Sequence, residues 1–221
     1  MLHLAVFDLD GTIVDSQEMI VAGMYAASDL LSLARPRPEA VRRVVGLPLL
    51  QAIETVFPEA SSDEALMLTE TYKQTIIDMR ARGEENEPLF PGALEALEAL
   101  DQTGWLLGIA TGKPMRGLVN TMKPYGLLDR FVTLQTADTG PGKPSPDMLL
   151  RAMSETGADR ERTIMIGDTT YDMEMARNAG TAAVGVAWGY HEAAELMDAG
   201  AQIVVQSFSD LPSALDKIRE R

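Results

Sequence analysis

The sequence predicts an α/β fold in which a parallel sheet is flanked by helices and interrupted by a helical insertion. An apolar strand opens the chain at residues 3–8, residues 15–85 show only helical patterns, and strands alternate with helices from Pro91 onward. Such alternation with short connections is typical of right-handed β-α-β units on a parallel sheet. We therefore expect a Rossmann-like core built from residues 1–14 and 86–221, and a small all-helical domain at 15–85.

The insertion contains four helical patterns. Residues 17–33 carry apolar residues at helical spacing after Asp15 and Ser16, either of which suits an N-cap. Pro38 suits the first position of a second helix, "PEAVRRVV". The other two patterns are "LPLLQAIETVF" and "SSDEALMLTETYKQTIIDMRARG", and the latter runs from a Ser/Asp start to a glycine, Gly83. The polar stretch "GEENEPLFPG" is the expected return hinge.

Beyond the insertion we expect helices and strands in alternation. The predicted helices cover residues 92–102, 114–124, 147–156, 170–179, 191–198 and 209–220, and the predicted strands cover 105–110, 131–134, 163–166, 183–187 and 202–205. Ligands of open parallel sheets bind at the carboxyl ends of the strands. The residues that follow each strand are therefore the candidates for function.

The composition disfavours several classes of function. The net charge of −14 argues against nucleic acid or an anionic membrane as a partner, because both require a basic face. No apolar run approaches the roughly 18–20 residues that span a bilayer, and no signal-peptide pattern opens the chain, so we expect a cytoplasmic protein. The chain has no cysteine and two histidines, which excludes thiolate catalysis and nearly excludes histidine-based sites.

Polar side chains collect where the predicted strands end. The candidates are Asp8 and Asp10 after the first strand, Thr111, Gly112 and Lys113 after strand 105–110, Lys143 in the loop after strand 131–134, and Asp168 and Asp172 after strand 163–166. Carboxylates that share a small site raise one another's pKa, so four of them need a counter-ion. Mg²⁺ prefers oxygen ligands and often completes its shell with water and a substrate phosphate. We expect Mg²⁺ as cofactor and a phosphorylated substrate.

These residue types suit phosphoryl transfer. A carboxylate can attack phosphorus and form an aspartyl-phosphate, and a bound metal can polarise and orient the phosphoryl group. The hydroxyl of Thr111, the N–H of Gly112 and the amine of Lys143 could bind the equatorial oxygens of the transition state. Asp10 could donate a proton to the leaving alcohol and later accept one from water, while its carbonyl faces the metal.

The motifs "DLDGTIVD", "TGK", "GKPSPD" and "GDTTYD", in this order, resemble the four motifs of the haloacid dehalogenase-like hydrolases. The resemblance covers the whole chain and implies that residues 15–85 form the C1 cap of this family. It implies that Asp8 is the nucleophile and Asp10 the general acid/base. The other implied roles are phosphate binding by Thr111 and Gly112, support of the nucleophile and phosphate by Lys143, and Mg²⁺ binding by Asp8, the Asp10 carbonyl and Asp168, with Asp172 ordering a metal-bound water or Lys143.

Within this family the closest likeness is to phosphoglycolate phosphatases, because "FDLDGTIVDS", "VGLPL" and "GVAWGY" are similar to that subgroup. "ATGKP" departs from it, since the subgroup usually has Ser/Thr-Asn-Lys-Pro there. Asp10 favours phosphate esters as substrates, since the dehalogenases lack a carboxylate at its position and the phosphonatases have alanine there. We expect a Mg²⁺-dependent phosphatase of a small metabolite; a mutase of the β-phosphoglucomutase type, a pyrophosphatase, a nucleotidase and a non-enzymatic phospho-switch remain alternatives.

Some candidate residues keep a second interpretation. In the insertion, Arg43 near Gly46 could reach a substrate carboxylate, or its helix face could simply be solvated. Gly46, beside Leu47 and Pro48, could belong to a substrate-facing loop. Lys113 could contact the phosphate or lie in solvent. Asp172 could act in the site or serve as a carboxylate at a helix start, where the helix dipole favours it. The sequence leaves the oligomeric state open.

Overall fold

The computed structural model describes residues 2–220, so Met1 and Arg221, which end the predicted core domain, lie outside the described residues. Its strands are β1 (His3–Phe7), β2 (Trp105–Ala110), β3 (Phe131–Gln135), β4 (Thr163–Gly167), β5 (Ala182–Val186) and β6 (Ile203–Val205). Each neighbouring pair is parallel, and the order across the sheet is β3-β2-β1-β4-β5-β6. The predicted parallel α/β fold is confirmed.

The strand order places a topological switch point beside β1. The chain adds β2 and β3 on one side of β1, then crosses to its other side and adds β4, β5 and β6. The crevice at the carboxyl ends of β1 and β4 is the usual ligand-binding position in such a sheet. Residues 8–15 and 168–172 follow these two strand ends, so the fold brings the first and the last sequence motif together.

Helices cover both faces of the sheet. They are α5 (Ala93–Gln102), α6 (Met115–Met122), α7 (Asp147–Thr156), α8 (Thr170–Ala179), α9 (Ala193–Ala199) and α10 (Leu211–Arg219). Successive side chains of a strand point to opposite faces. Phe7 accordingly packs with α5, α6 and α10 in one buried cluster, whereas Leu4 and Val6 pack with α7, α8 and α9 in another. Both faces of the sheet are therefore covered, which explains why β1 is apolar and buried from Leu4 to Phe7.

The insertion folds into the predicted helices α1 (Gln17–Leu30), α2 (Pro38–Arg42), α3 (Leu49–Val56) and α4 (Ser62–Ala81). They enclose a separate apolar cluster that includes the fully buried Ile53 and Leu68. At the start of α4, Ser61 and Glu64 form a capping box, in which each side chain accepts a hydrogen bond from the other residue's backbone N–H. The division into domains at residues 15 and 85 stays a prediction.

Several predicted helix ends differ from the structure by two or more residues. Helix α2 ends at Arg42 rather than at Val45, and α6 ends at Met122 rather than at residue 124. The first helix ends at Leu30 rather than at residue 33, because Ser32 has a φ of 56°, which is incompatible with a helix. Helix α9 begins at Ala193 rather than at 191, since Glu192 is its N-cap. The last helix starts with a 3₁₀ turn at Phe208–Asp210 before α10. None of the helices within residues 2–220 has the length and apolar character that crossing a membrane requires.

Candidate active site

Asp8 directly follows β1 and extends the pairing of this strand with β4. Its N–H donates to the carbonyl of Ile166 in β4 at 2.9 Å, and its side chain is buried. Oδ1 accepts hydrogen bonds from the Leu9 N–H at 2.7 Å and lies 2.8 Å from Lys143 Nζ. Oδ2 is buried with no hydrogen-bond partner in residues 2–220. The carboxylate is thus held through Oδ1, and the predicted role of Asp8 as nucleophile stays a prediction.

A tight turn follows Asp8. The carbonyl of Leu9 accepts hydrogen bonds from the N–H groups of Thr12, Ile13 and Val14. Gly11 within this turn has a φ of 81°, and a Cβ there would lie 2.3 Å from Asp168 Oδ2. Only glycine fits at this position, because the backbone is left-handed and the Asp168 carboxylate occupies the space that a side chain would need.

Asp168 follows β4 and is oriented by two donors. The Thr12 hydroxyl donates to Oδ1 at 2.8 Å, and the Tyr190 N–H donates to Oδ2 at 2.9 Å. Burial, followed by the neighbouring Asp172, raises the pKa of Asp168 to about 7. Burial also raises the pKa of Asp8 well above its ordinary value. A cation among these groups would favour their ionised forms.

Lys143 joins two of the carboxylates. Its side chain is fully buried, with Nζ 2.8 Å from Asp8 Oδ1 and 2.6 Å from Asp172 Oδ1. Burial alone would lower the pKa of Lys143, but the two carboxylates outweigh it and raise the pKa above its ordinary value. Lys143 therefore stays protonated and compensates one of the buried negative charges.

Asp172 has two roles at the start of α8. Its Oδ2 accepts hydrogen bonds from the Thr169 hydroxyl at 2.7 Å and from the Thr169 N–H at 3.1 Å, and the bond from the N–H is one half of the capping box of the helix. Its Oδ1 is the oxygen that faces Lys143. Asp172 is therefore both a carboxylate at the start of a helix and a partner of Lys143, which are the two interpretations that the sequence left open.

Asp8, Asp168 and Asp172 fit a metal ion. Each offers a carboxylate oxygen, these atoms lie within 4.8 Å of one another, and all three residues are buried. Asp8 is one of these three residues, and its Oδ2 has no hydrogen-bond partner in residues 2–220. A hard, oxygen-seeking cation such as Mg²⁺ suits such a donor set. The Asp10 side chain is not among these ligand atoms, and a contact between the Asp10 carbonyl and the metal stays a prediction.

Asp10 turns its side chain toward Lys113. Nζ of Lys113 lies 2.9 Å from Asp10 Oδ1 and 2.6 Å from Glu87 Oε1. The Lys113 side chain is nearly buried, so the alternative of a solvated lysine is excluded. Burial would lower the pKa of Lys113, but Asp10 and Glu87 outweigh this and raise it. Contact between Lys113 and a substrate phosphate stays a prediction.

Thr111 and Gly112 lie between the sheet and the insertion. Thr111 is buried at the end of β2, and its hydroxyl accepts a hydrogen bond from the Lys113 N–H at 3.1 Å. A Cβ on Gly112 would lie 3.2 Å from the carbonyl oxygen of Gly46. The predicted phosphate-binding turn and the predicted substrate-facing residue Gly46 are therefore in close contact, and a larger residue than Gly112 would separate them.

Arg43 lies outside this cluster of carboxylates. About half of its side chain is exposed, and its guanidinium makes a two-pronged ion pair with Glu195 of α9, at 2.6 and 2.8 Å. Its carbonyl accepts hydrogen bonds from the Tyr171 hydroxyl and from His191 Nε2, both at 3.1 Å. Arg43 also lines a cavity of about 360 Å³ between the insertion and the sheet, together with Tyr190. Contact with a substrate carboxylate stays a prediction.

Three residues that contact the site were not among the candidates. Thr12 and Tyr190 orient Asp168, and Glu87 binds Lys113. Thr12 lies within the motif "DLDGTIVD", so its hydroxyl was a signal that could have been used. Glu87 lies among four acidic or amide residues in "GEENEP", and the sequence there does not distinguish one carboxylate from another.

Comparison with known proteins gives consistent matches. Residues 5–186 match the model of a family described as haloacid dehalogenase-like hydrolase. The "Probable phosphatase IndB" of Dickeya dadantii is 36% identical over 215 residues, which cover 97% of this chain and 94% of that protein. The "Phosphoglycolate phosphatase" of Agrobacterium fabrum is 30% identical and covers 96% and 91%. A crystal structure of a hydrolase from Pseudomonas syringae has a TM-score of 0.84 at 29% identity and covers 98% and 99%.

Proposed function

The chain belongs to the haloacid dehalogenase-like hydrolases, and we propose that it is a Mg²⁺-dependent phosphatase that hydrolyses a small phosphorylated metabolite through an aspartyl-phosphate on Asp8. The observation that carries this proposal is the buried Asp8 carboxylate, which is held at Oδ1 by Lys143 and Leu9 while Oδ2 has no hydrogen-bond partner in residues 2–220. The names of the relatives from Dickeya and Agrobacterium support a phosphatase.

In the first step Asp8 Oδ2 attacks phosphorus, and the bond between phosphorus and the leaving oxygen breaks. Asp10 donates a proton to that oxygen, so an alcohol leaves rather than an alkoxide. The positive charge of Lys143 beside Asp8 offsets the negative charge that gathers on the phosphoryl oxygens. The products of this step are an alcohol and a phosphate group bound to Asp8.

In the second step a water molecule attacks the phosphorus of the aspartyl-phosphate. Asp10, now ionised, accepts a proton from this water, and the bond between phosphorus and Asp8 Oδ2 breaks. Inorganic phosphate leaves, and both aspartates return to their starting protonation states. The same carboxyl group therefore acts as acid in one step and as base in the other.

Asp8, Asp168 and the Asp10 carbonyl would hold Mg²⁺, with Asp172 alongside. When bound, the ion would neutralise and orient the phosphoryl group. The donor set fits this role because three buried carboxylates offer oxygens within 4.8 Å of one another. The Thr12 hydroxyl and the Tyr190 N–H orient the Asp168 carboxylate, so the protein itself pre-organises this ligand.

The substrate we propose is a phosphomonoester similar to phosphoglycolate. Thr111, Gly112 and Lys113 would bind its phosphate, and Gly46 and Arg43 would face the rest of the molecule. Support comes from the relative named as a phosphoglycolate phosphatase and from the cavity that Arg43 lines beside Tyr190. A substrate carboxylate would have to exchange with Glu195 for the guanidinium of Arg43.

Hydrolysis of p-nitrophenyl phosphate with and without Mg²⁺ tests the reaction class. We expect turnover with Mg²⁺ and its loss in EDTA, and metal-independent turnover would contradict the proposal. Phosphoglycolate and other phosphorylated metabolites then test the substrate, ranked by kcat/KM. Release of equal amounts of phosphate and alcohol is expected, whereas an isomerised sugar phosphate would identify a mutase instead.

A further inference from the structure

Four charged side chains of alternating sign connect the end of α4 with Asp10. Arg80 Nη2 lies 2.7 Å from Glu87 Oε2, Glu87 Oε1 lies 2.6 Å from Lys113 Nζ, and Lys113 Nζ lies 2.9 Å from Asp10 Oδ1. All four side chains are at most 15% exposed. Each inner charge has an opposite charge on both sides, so removal of one leaves a neighbour buried without full compensation.

Glu87 is held independently of Lys113. The Thr121 hydroxyl donates to Glu87 Oε2 at 2.7 Å, and the Tyr125 hydroxyl donates to the Glu87 carbonyl at 2.8 Å. Arg80 donates to the same Oε2. With its backbone and one oxygen fixed in this way, Glu87 presents its other oxygen, Oε1, to Lys113 as a rigid acceptor.

Lys113 needs such an acceptor to keep a defined position. A lysine has a flexible four-carbon stem and a point charge with no preferred direction of binding. Nζ of Lys113 lies between Asp10 and Glu87, and its hydrogen bond is to Glu87. Without the charge on Glu87, the Lys113 amine keeps only its contact to Asp10 and loses its fixed position, so the environment of Asp10 changes.

We propose that Glu87 is a positioning residue for the reaction: it holds Lys113, whose Nζ also contacts Asp10, and so keeps the Asp10 carboxyl group in place for proton exchange with the leaving alcohol. This inference rests on the proposed function, in which Asp10 is the acid. Glu87 lies in the segment that joins α4 to the sheet and acts through Lys113. Its contribution should therefore be largest where the leaving group most needs a proton.

The test compares Glu87→Gln with Glu84→Gln on two substrates. Glu84 lies in the same segment but is exposed and pairs with Arg82, so its substitution is the matched control. p-Nitrophenolate leaves without a proton, whereas the alkoxide of an alkyl phosphate needs one. For Glu87→Gln we expect kcat/KM for the alkyl phosphate to fall about tenfold more than kcat/KM for p-nitrophenyl phosphate, because kcat/KM reports the step in which the leaving group departs, whereas hydrolysis of the aspartyl-phosphate is common to both substrates.

Equal losses on both substrates, or no loss on either, would overturn the inference, because a merely structural role does not depend on the leaving group. Thr121→Val provides a milder variant that removes one hydrogen bond to Glu87 and keeps its charge. Thr121→Val should also lose more activity on the alkyl phosphate than on p-nitrophenyl phosphate, but the difference between the two losses should be smaller. This variant keeps the test available should Glu87→Gln fold poorly.

A second readout does not require activity. Acetic anhydride acetylates exposed lysines, and peptide mass spectrometry gives the rate at each one. Lys73 is an exposed reference, at 52%. We expect Glu87→Gln to raise the rate at Lys113 relative to Lys73 by about tenfold, since the amine then keeps only its contact to Asp10 and is exposed to solvent more often. An unchanged ratio would overturn the inference; a wild-type protein inactive on every phosphate ester would instead contradict the proposed function.

Discussion

Substitution of Lys143 by methionine removes the ammonium group that pairs with both Asp8 and Asp172. The Lys143 side chain is fully buried and its Nζ lies 2.8 and 2.6 Å from the two carboxylates. Methionine is unbranched and flexible, so it can fill most of the same space without a charge. The perturbation is therefore electrostatic, and it leaves a group of buried carboxylates that already includes Asp168 without this counter-charge.

The expected loss of stability is large. Removal of one partner from a buried ion pair costs about 3–5 kcal/mol. In a chain of this size each kcal/mol lowers Tm by about 2–4 °C, so Lys143→Met should lower Tm by about 6–20 °C in EDTA. Added Mg²⁺ should restore part of this loss, because the ion supplies positive charge at the same carboxylates. Turnover should stay low, since Mg²⁺ does not replace the contact to Asp8 Oδ1.

Thermal unfolding by circular dichroism, in EDTA and in Mg²⁺, measures both effects, and p-nitrophenyl phosphate reports turnover. Lys217→Met on the exposed side of α10 is the matched control and should change stability by no more than about 0.5 kcal/mol. A Tm for Lys143→Met that equals the wild-type value, together with normal turnover, would refute the view that Lys143 compensates the buried carboxylates.

Three further predictions follow from the site. Burial and Asp172 raise the pKa of Asp168 from 3.8 to about 7, so between these pH values the folded protein retains a proton that the unfolded chain has lost. The free energy of unfolding, measured with urea in EDTA, should therefore fall as the pH rises from 3.8 to about 7, and an increase would contradict this. Arg43→Ala removes an exposed ion pair worth less than about 1 kcal/mol, so Tm should hardly change. KM should rise for a phosphate ester that carries a carboxylate but not for p-nitrophenyl phosphate, and equal changes in KM would contradict a contact between Arg43 and the substrate carboxylate. Gly11→Ala places a Cβ 2.3 Å from Asp168 Oδ2, so turnover should drop by about two orders of magnitude, and near-normal turnover would show that the turn tolerates a side chain.

Sequence patterns predicted the parts of this structure that depend on local physics. Apolar runs marked the strands, and short connections between alternating elements implied the parallel sheet. Because parallel strands end at one edge, Asp8 and Asp168 could be expected to meet although 160 residues separate them. The structure brings both together with Lys143 and Asp172.

Choices among equivalent partners could not be predicted in this way. Lys113 could have met solvent, phosphate or any nearby carboxylate, and the selection of Glu87 depends on how the segment after α4 packs against Thr121 and Tyr125. Arg43 is one of several arginines on the insertion, and its pairing with Glu195 depends on the placement of α9 beside α2. Such pairings are tertiary, so local spacing carries no signal for them.

Transfer of phosphate to Asp8 is tested most directly by mass spectrometry of protein quenched with acid during turnover of a phosphate ester in Mg²⁺. The proposed mechanism predicts phosphate on the peptide that contains Asp8, and loss of both this adduct and turnover in Asp8→Asn. Wild-type turnover by Asp8→Asn, or phosphate found on a different residue, would contradict it.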